Sequence, residues 1–231
     1  MKNPRSADSV KLFSRSRRRD LTRSGFLIRK SACFRIQRAS NVEKLLEDME
    51  SFGRQAFMDA GATDMWITQS VMAGDGYGEI FISSDWDSID AAVSAPDELR
   101  ARPEFIDAMQ NAGIQTLRRS LMQIHTQRGE LTGKYGSLII SAGAQQDQAT
   151  IESNADAIWG HMGKNANGIR WTQGLAAGPL TGMYATVTTA DSLDQLMESS
   201  NEMFTDPDIM GRMAEMGFQL IQRQLFRNLA D

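Results

Sequence analysis

The feature that most constrains this chain is an internal repeat, because a duplicated segment must fold twice in the same way. Sliding the sequence against itself by 104 residues lays 65–121 on 169–225 without a gap, and 15 of the 57 positions are identical. Thr68-Gln69 meets Thr172-Gln173, and Ala73-Gly74 meets Ala177-Gly178. Gly78 meets Gly182, and Asp87-Ser88-x-Asp90 meets Asp191-Ser192-x-Asp194. Pro103, Met109, Gly113, Gln115, Arg119 and Leu121 meet Pro207, Met213, Gly217, Gln219, Arg223 and Leu225. Upstream of residue 61 the identities fade, but the pattern of apolar positions continues.

Each copy reads as the same succession of elements. Ala32–Ile36 and Ser137–Ile140 are opening strands by their apolar and β-branched content. Leu45, Met49, Phe52 and Ala56, like Ile151, Ala155, Ile158 and Met162, recur at helical spacing, with Asn41 as the first helix's N-cap. Gly61 and Gly168 are the expected helix stops. Met65–Met72 and Ile169–Ala176 are strands, followed by turns at Gly74-Asp75-Gly76 and Gly178-Pro179 and return strands Glu79–Ser83 and Met183–Thr188. Ser88 and Ser192, or the preceding aspartates, cap the next helix. Pro103 and Pro207 break it and restart it, since proline is tolerated only in a first turn. Closing strands run Gln115–Ile124 and Gln219–Leu229.

The order β-α-β-β-α-β is the ferredoxin-like arrangement, with helices covering one face of a four-stranded sheet. The other face needs cover, and a tandem copy supplies it. The expected fold is therefore α+β, two tandem ferredoxin-like modules packed sheet to sheet as an intramolecular pseudo-dimeric α/β barrel. The expected boundaries are a basic, disordered leader over 1–30, a first module over 31–126, a linker over 127–134 and a second module over 135–231.

The repeated strand–Asp-Ser–helix–Pro–helix–Gly–strand segment, Ile80–Leu121 and Tyr184–Leu225, resembles the dimeric α/β-barrel superfamily, which includes antibiotic-biosynthesis monooxygenase-like and stress-responsive barrel proteins. The resemblance covers about 31–229. It implies the barrel fold but leaves function open, because the superfamily includes cofactor-free oxygenases, haem proteins, isomerase-like enzymes and members without known activity.

Charge narrows the partners. The leader holds ten basic and two acidic residues, and the rest holds 15 basic and 27 acidic. An acidic body argues against nucleic acid, which demands clustered Lys and Arg. No apolar run approaches the roughly 18 residues of a membrane span, so no membrane partner is expected. The single cysteine, Cys33, excludes an internal disulfide and a multi-cysteine metal site, reads as buried and inert, and suits a reducing, cytoplasmic setting. Arg18-Arg19 carries a twin arginine, but Phe26-Leu27-Ile28 falls short of the about 7–15 apolar residues of a secretory signal. An organellar transit peptide and an upstream start are the alternatives for the leader.

Two facing sheets enclose a cavity lined by one phase of each strand. The polar residues repeated in apolar phase are Arg119 and Arg223, and Gln69 and Gln173. With Trp171 and Tyr184 they form the expected ligand-binding set, the arginines holding an anionic or carbonyl-bearing ligand. The competing reading makes the arginines structural, satisfied by carboxylates or solvent, and the aromatics core residues. His161 beside Trp159 on a helix is the only hint of haem, and a structural histidine is the simpler account. No metal-ligand spacing, phosphate loop or nucleophile elbow is present, so neither metal nor cofactor is expected. Two functions remain: a small-molecule-binding or stress-related barrel without catalysis, or a cofactor-independent monooxygenase or isomerase-like enzyme. A pseudo-dimer within one chain is expected, with exposed sheet edges offering a route to a further homodimer.

Overall fold

A computed structural model describes residues 30–230; the leader's expected disorder falls outside that range except for Lys30. The first copy comprises β1 (Ser31–Arg38), α1 (Val42–Asp48), a π-helical turn (Met49–Gly53), α2 (Arg54–Asp59), β2 (Ala62–Met72), β3 (Ile80–Trp86), α3 (Ile89–Arg100), α4 (Pro103–Asn111) and β4 (Gln115–Gly129). The second comprises β5 (Tyr135–Ala142), α5 (Gln148–Met162), β6 (Gly168–Ala176), β7 (Tyr184–Ala190), α6 (Leu193–Thr205), α7 (Pro207–Glu215) and β8 (Gln219–Asn228).

Local chemistry sets these boundaries. Asn41, Ser88 and Ser192 accept hydrogen bonds from the amides of Lys44, Ala91 and Gln195 at 2.9, 3.1 and 3.4 Å, satisfying donors that the first helical turn leaves free. Pro103 and Pro207 are the first residues of α4 and α7. Gly113 and Gly217 follow those helices with φ of 59° and 61°, where a side chain would be strained.

All eight strands close into one antiparallel barrel in the order β1-β3-β2-β8-β5-β7-β6-β4. Within each module the pairings repeat at the 104-residue offset: Arg35 opposite Arg119 and Ile139 opposite Arg223, Ile67 opposite Ile82 and Trp171 opposite Thr186. The two seams between modules also correspond, with Ser70 opposite Phe226 and Met122 opposite Gly174. The chain thus carries a pseudo-two-fold in its hydrogen-bond register, and closure removes the free sheet edges that each module alone would expose.

Three elements differ from the sequence expectation. β4 runs five residues past Ile124 because its second half pairs with β6 of the other module. The first helix contains the π-helical turn, where Met49 lies over Gly53; a Cβ there would sit 2.6 Å from Met49 Sδ. Gly168 does not stop α5, which ends at Met162. Instead it opens β6, where an added Cβ would lie 2.3 Å from the Glu130 carbonyl oxygen. Close backbone approach, not helix termination, demands that glycine.

Most strands bury residues of both phases, although the first residues of β4 (115–119) and β8 (219–222) are exposed. One phase faces the barrel lumen, where Ala32, Met122, Ile140 and Ala185 pack with Phe34, Ile124 and Leu138. The other faces the helices: Met65, Ile67, Ile80 and Ile82 cluster with Phe57 and Leu99 of α2 and α3 in the first module, and Ile169 with Leu196, Met203, Ile209 and Met213 of α6 and α7 in the second. Among the described residues, no helix is long and apolar enough to cross a membrane.

Candidate functional site

The enclosed space of about 100 Å³ in the second module lies between the sheet and helices α5, α6 and α7. Its walls are apolar: Ile139, Ile151, Ile158, Met162, Trp171 and Phe204 are among them. Volume decides what it can take. A cavity of about 150 Å³ accepts one benzene-sized ring, so this one, at about two thirds of that volume, holds a small aliphatic guest as it stands and a ring only if its lining side chains give way.

Of the expected residues, the structure brings Arg223, Trp171 and Tyr184 together in this wall. Their position differs from expectation. The residues face the helices and not the space between the two sheets, since the alternate phase (Arg170, Gln224, Phe226) points into the lumen. A cavity of about 60 Å³ does exist in the lumen, lined by Phe34, Trp66, Leu138 and Arg170.

Arg223 is the polar focus of the site. Its Nε donates to Ser137 Oγ at 3.1 Å and its Nη2 to Ser200 Oγ at 3.1 Å. No carboxylate lies within ion-pair distance among the described residues. Burial holds its guanidinium below the ordinary arginine value. A cation with only neutral partners in an apolar chamber is poised for an acceptor oxygen.

Tyr184 Oη accepts from the Gln146 amide at 3.2 Å and donates to the Ala144 carbonyl at 3.3 Å. It thereby fixes the loop at the edge of the cavity. His125, on β4, lines the same cavity, with its ring centroid 6.0 Å from that of Tyr184. Gln173 donates from Nε2 to the Gly182 carbonyl at 2.9 Å, which orients its amide. The His125 Nε2 at 3.3 Å from Gln173 Oε1 is then the protonated nitrogen, and Nδ1 carries the lone pair. Nδ1 is buried and has no partner among the described residues. Burial lowers the imidazole below its ordinary value, against the opposing pull of the Gln173 bond, so it stays neutral at pH 7. The 104-residue offset sets His125 against Leu229, so the repeat carries no signal for it; its burial comes from the long β4, which carries it into the second module.

The other expected residues are engaged elsewhere. Arg119 donates from Nε to Cys33 Sγ at 3.3 Å and from Nη2 to the Ala92 carbonyl. It is the pseudo-symmetric counterpart of Arg223, and Cys33 is that of Ser137. Gln69 donates to the Gly78 carbonyl at 3.3 Å, as Gln173 does to Gly182, and accepts from Arg227 at 2.6 Å. The repeated glutamines thus hold the β2–β3 and β6–β7 turns. His161 faces Asp206 at 3.6 Å and is not part of the cavity wall. Among the described residues no cluster of three metal-ligating side chains occurs.

This is the tandem form of the dimeric α/β-barrel fold, and solved structures share it. An anthrone oxidase-like protein superposes with a TM-score of 0.53 at 12% identity, covering 87% of this chain and 92% of its own. A chlorite dismutase-like protein gives 0.56 at 10%, covering 87% and 94%. A haem-binding protein from Thermus thermophilus gives 0.55 at 12%, covering 87% and 91%. No family model and no curated protein matches the sequence. Such identities establish shared fold only.

Haem does not fit the second-module cavity as it stands. Its roughly 100 Å³ falls below the several hundred Å³ usual for large ligands, and His161 is turned to Asp206.

Proposed function

We propose that the second-module cavity binds a small, largely apolar molecule bearing a carbonyl or anionic oxygen, with that oxygen at Arg223. The observation that carries this reading is the half-buried Arg223 guanidinium, held by two serine hydroxyls, with no carboxylate partner among the described residues, in a mostly apolar chamber. The aromatic wall at Trp171 and Tyr184 favours a planar guest, and a ring requires the lining methionines Met162, Met203 and Met213 to move aside, since the cavity of about 100 Å³ is smaller than the about 150 Å³ that holds benzene. The fold likeness to an anthrone oxidase-like protein makes aromatic ketones natural first probes.

A second reading adds catalysis: a cofactor-independent monooxygenase or isomerase-like enzyme. His125 favours it, as a neutral imidazole with its lone pair unengaged at the same cavity. Such a group can accept a proton from a carbon or hydroxyl acidified by an adjacent carbonyl whose oxygen Arg223 stabilises. Absence of His125's function would leave a binding protein.

Calorimetric titration with an aromatic ketone, a quinol and haem tests both readings. Saturable binding of the ketone or quinol is expected, with none for haem. If neither ketone nor quinol binds, or if Arg223→Met binds them as tightly as the native chain, the reading fails. Turnover that disappears in His125→Gln while binding persists would support the enzyme over the binding protein.

A further inference from the structure

The first module has its own sheet–helix cavity, of about 40 Å³, at the pseudo-symmetric position. Ile139 and Ser141, which line the second-module cavity, correspond by the 104-residue offset to Arg35 and Gln37, which line this one. The exchange brings polar side chains into a wall that is otherwise apolar, with Leu45, Met49, Phe57, Ile82 and Phe105. Three buried side-chain atoms around it have no hydrogen-bond partner among the described residues: Arg35 Nε, Gln37 Nε2 and Asp48 Oδ2. Gln37 is only 4% exposed. Buried donors and acceptors are costly when unmet, so three converging on one cavity call for an occupant.

Charge selects its class. The Arg35 guanidinium lies over the Phe57 ring, 5.1 Å from the centroid, and has no ion-pair partner among the described residues. Asp48 is already bound to Lys44, whose Nζ is 2.8 Å from Oδ1. Arg119, opposite Arg35 in the sheet, adds a second positive charge. Water could satisfy the hydrogen bonds but would leave the excess charge, so an anion suits the site better. The free Asp48 oxygen requires a donor from that same anion.

We propose that this cavity binds a small oxyanion carrying one hydroxyl, of the size of bicarbonate or glycolate. Its charged oxygens meet Arg35 and Gln37, and its hydroxyl donates to Asp48 Oδ2. Size favours the smaller of the two: at about 10–15 Å³ per water-sized group, the cavity holds about three or four such groups, enough for bicarbonate and one short of glycolate. One wall is the π-helical turn, through Met49, Phe52 and Gly53, and such turns recur at functional sites. This site is separate from the Arg223 cavity and stands whether or not that one binds its proposed guest.

Thermal unfolding and calorimetric titration of the full chain test it, using bicarbonate, glycolate, acetate and chloride at equal ionic strength. Bicarbonate or glycolate should stabilise saturably, with acetate weaker because it cannot donate to Asp48, and chloride without effect. Arg35→Met should abolish the response, and Gln37→Leu should weaken binding by about tenfold, one lost hydrogen bond. Gln37→Leu serves as the decisive variant should Arg35→Met not fold. Equal stabilisation by chloride or acetate, an unchanged response in Gln37→Leu, or no response to either hydroxylated anion would overturn the proposal; the last would leave water as the occupant.

Discussion

At the level of single residues, Arg223 and His125 make separable demands. Arg223→Met should weaken binding of an aromatic ketone by about 10–150-fold, corresponding to one hydrogen bond to a charged donor at about 1.5–3 kcal/mol. The ligand-free protein should lose little stability, because the substitution also removes a desolvated charge that lacks a counter-ion. Titration and urea unfolding of the same variant separate the two effects. His125 predicts a pH slope. Its folded value lies below the ordinary imidazole value, so the unfolded chain takes up a proton that the folded one refuses. Stability from this group is complete above about pH 6.5 and declines as pH falls through the lowered folded value. His125→Gln should flatten that part of the urea-midpoint profile; an unchanged slope would exclude His125 as its source. Glycines give a matched pair. Gly129 has a φ of 65°, and an added Cβ would lie 2.1 Å from the Asn167 carbonyl oxygen. Gly129→Ala should cost about 1–3 kcal/mol. Gly160, inside α5 with nothing within 4 Å of an added Cβ, should gain about 0.5–1 kcal/mol as alanine.

Among elements, the modules are linked by a buried ion pair of Asp85 on β3 with Arg170 on β6; the pairs of Arg128 on β4 with Glu152 and Asp156 on α5 are more exposed. The Asp85–Arg170 contact is 2.9 Å, with side chains 7% and 9% exposed. Arg170 also donates to Gln127 at 2.7 Å and lies over the Trp66 ring. Trp66 is the counterpart of Arg170 by the repeat, so the two halves have diverged to complement each other inside the lumen. Asp85→Ala should destabilise by about 3–5 kcal/mol, since it strands a buried guanidinium. Replacing both, as Asp85→Leu with Arg170→Met, should recover much of that loss in denaturant unfolding. If the double variant were no better than Asp85→Ala, the cost would come from packing and not from the stranded charge. This pair also shows why elements were easier to read than sites. Ser88, Pro103 and Gly113 announce caps and breaks by local chemistry, and they recur in the second copy. The phase of a strand has no such announcement when both of its faces are buried. Arg223 between Ile221 and Leu225 reads equally as lumen or helix side, and only the placement of the helices decides. Arg35 and Gln37 escaped notice because β1 lies upstream of the identities that fix the repeat. The offset would still have found them: it sets Cys33 on Ser137, each bonded in the structure to the repeated arginine.

For the whole molecule, barrel closure depends on both copies. A separated second module (135–230) would expose the edges of β6 and β8 that now pair with β4 and β2. It would also uncover the lumen side of its sheet. It should therefore associate with a second copy of itself, and sedimentation equilibrium would show this; a well-folded monomer would mean that closure is dispensable. The repeat made this architecture legible because an offset shared by dozens of positions specifies register as well as element order. The candidate site was less legible: Arg223 repeats but its strand phase does not announce itself, and His125, Arg35 and Gln37 stand where the copies differ.

Fusion of the two copies has a genetic consequence. In a dimer of identical chains every substitution is inherited twice, and a change that improves one pocket is imposed on the other. Here a single codon can place Arg35 in one pocket and leave Ile139 in its twin. Joining the copies through the short segment between β4 and β5 lets each pocket change without its twin, while the shared wall of strands keeps both under one constraint to fold.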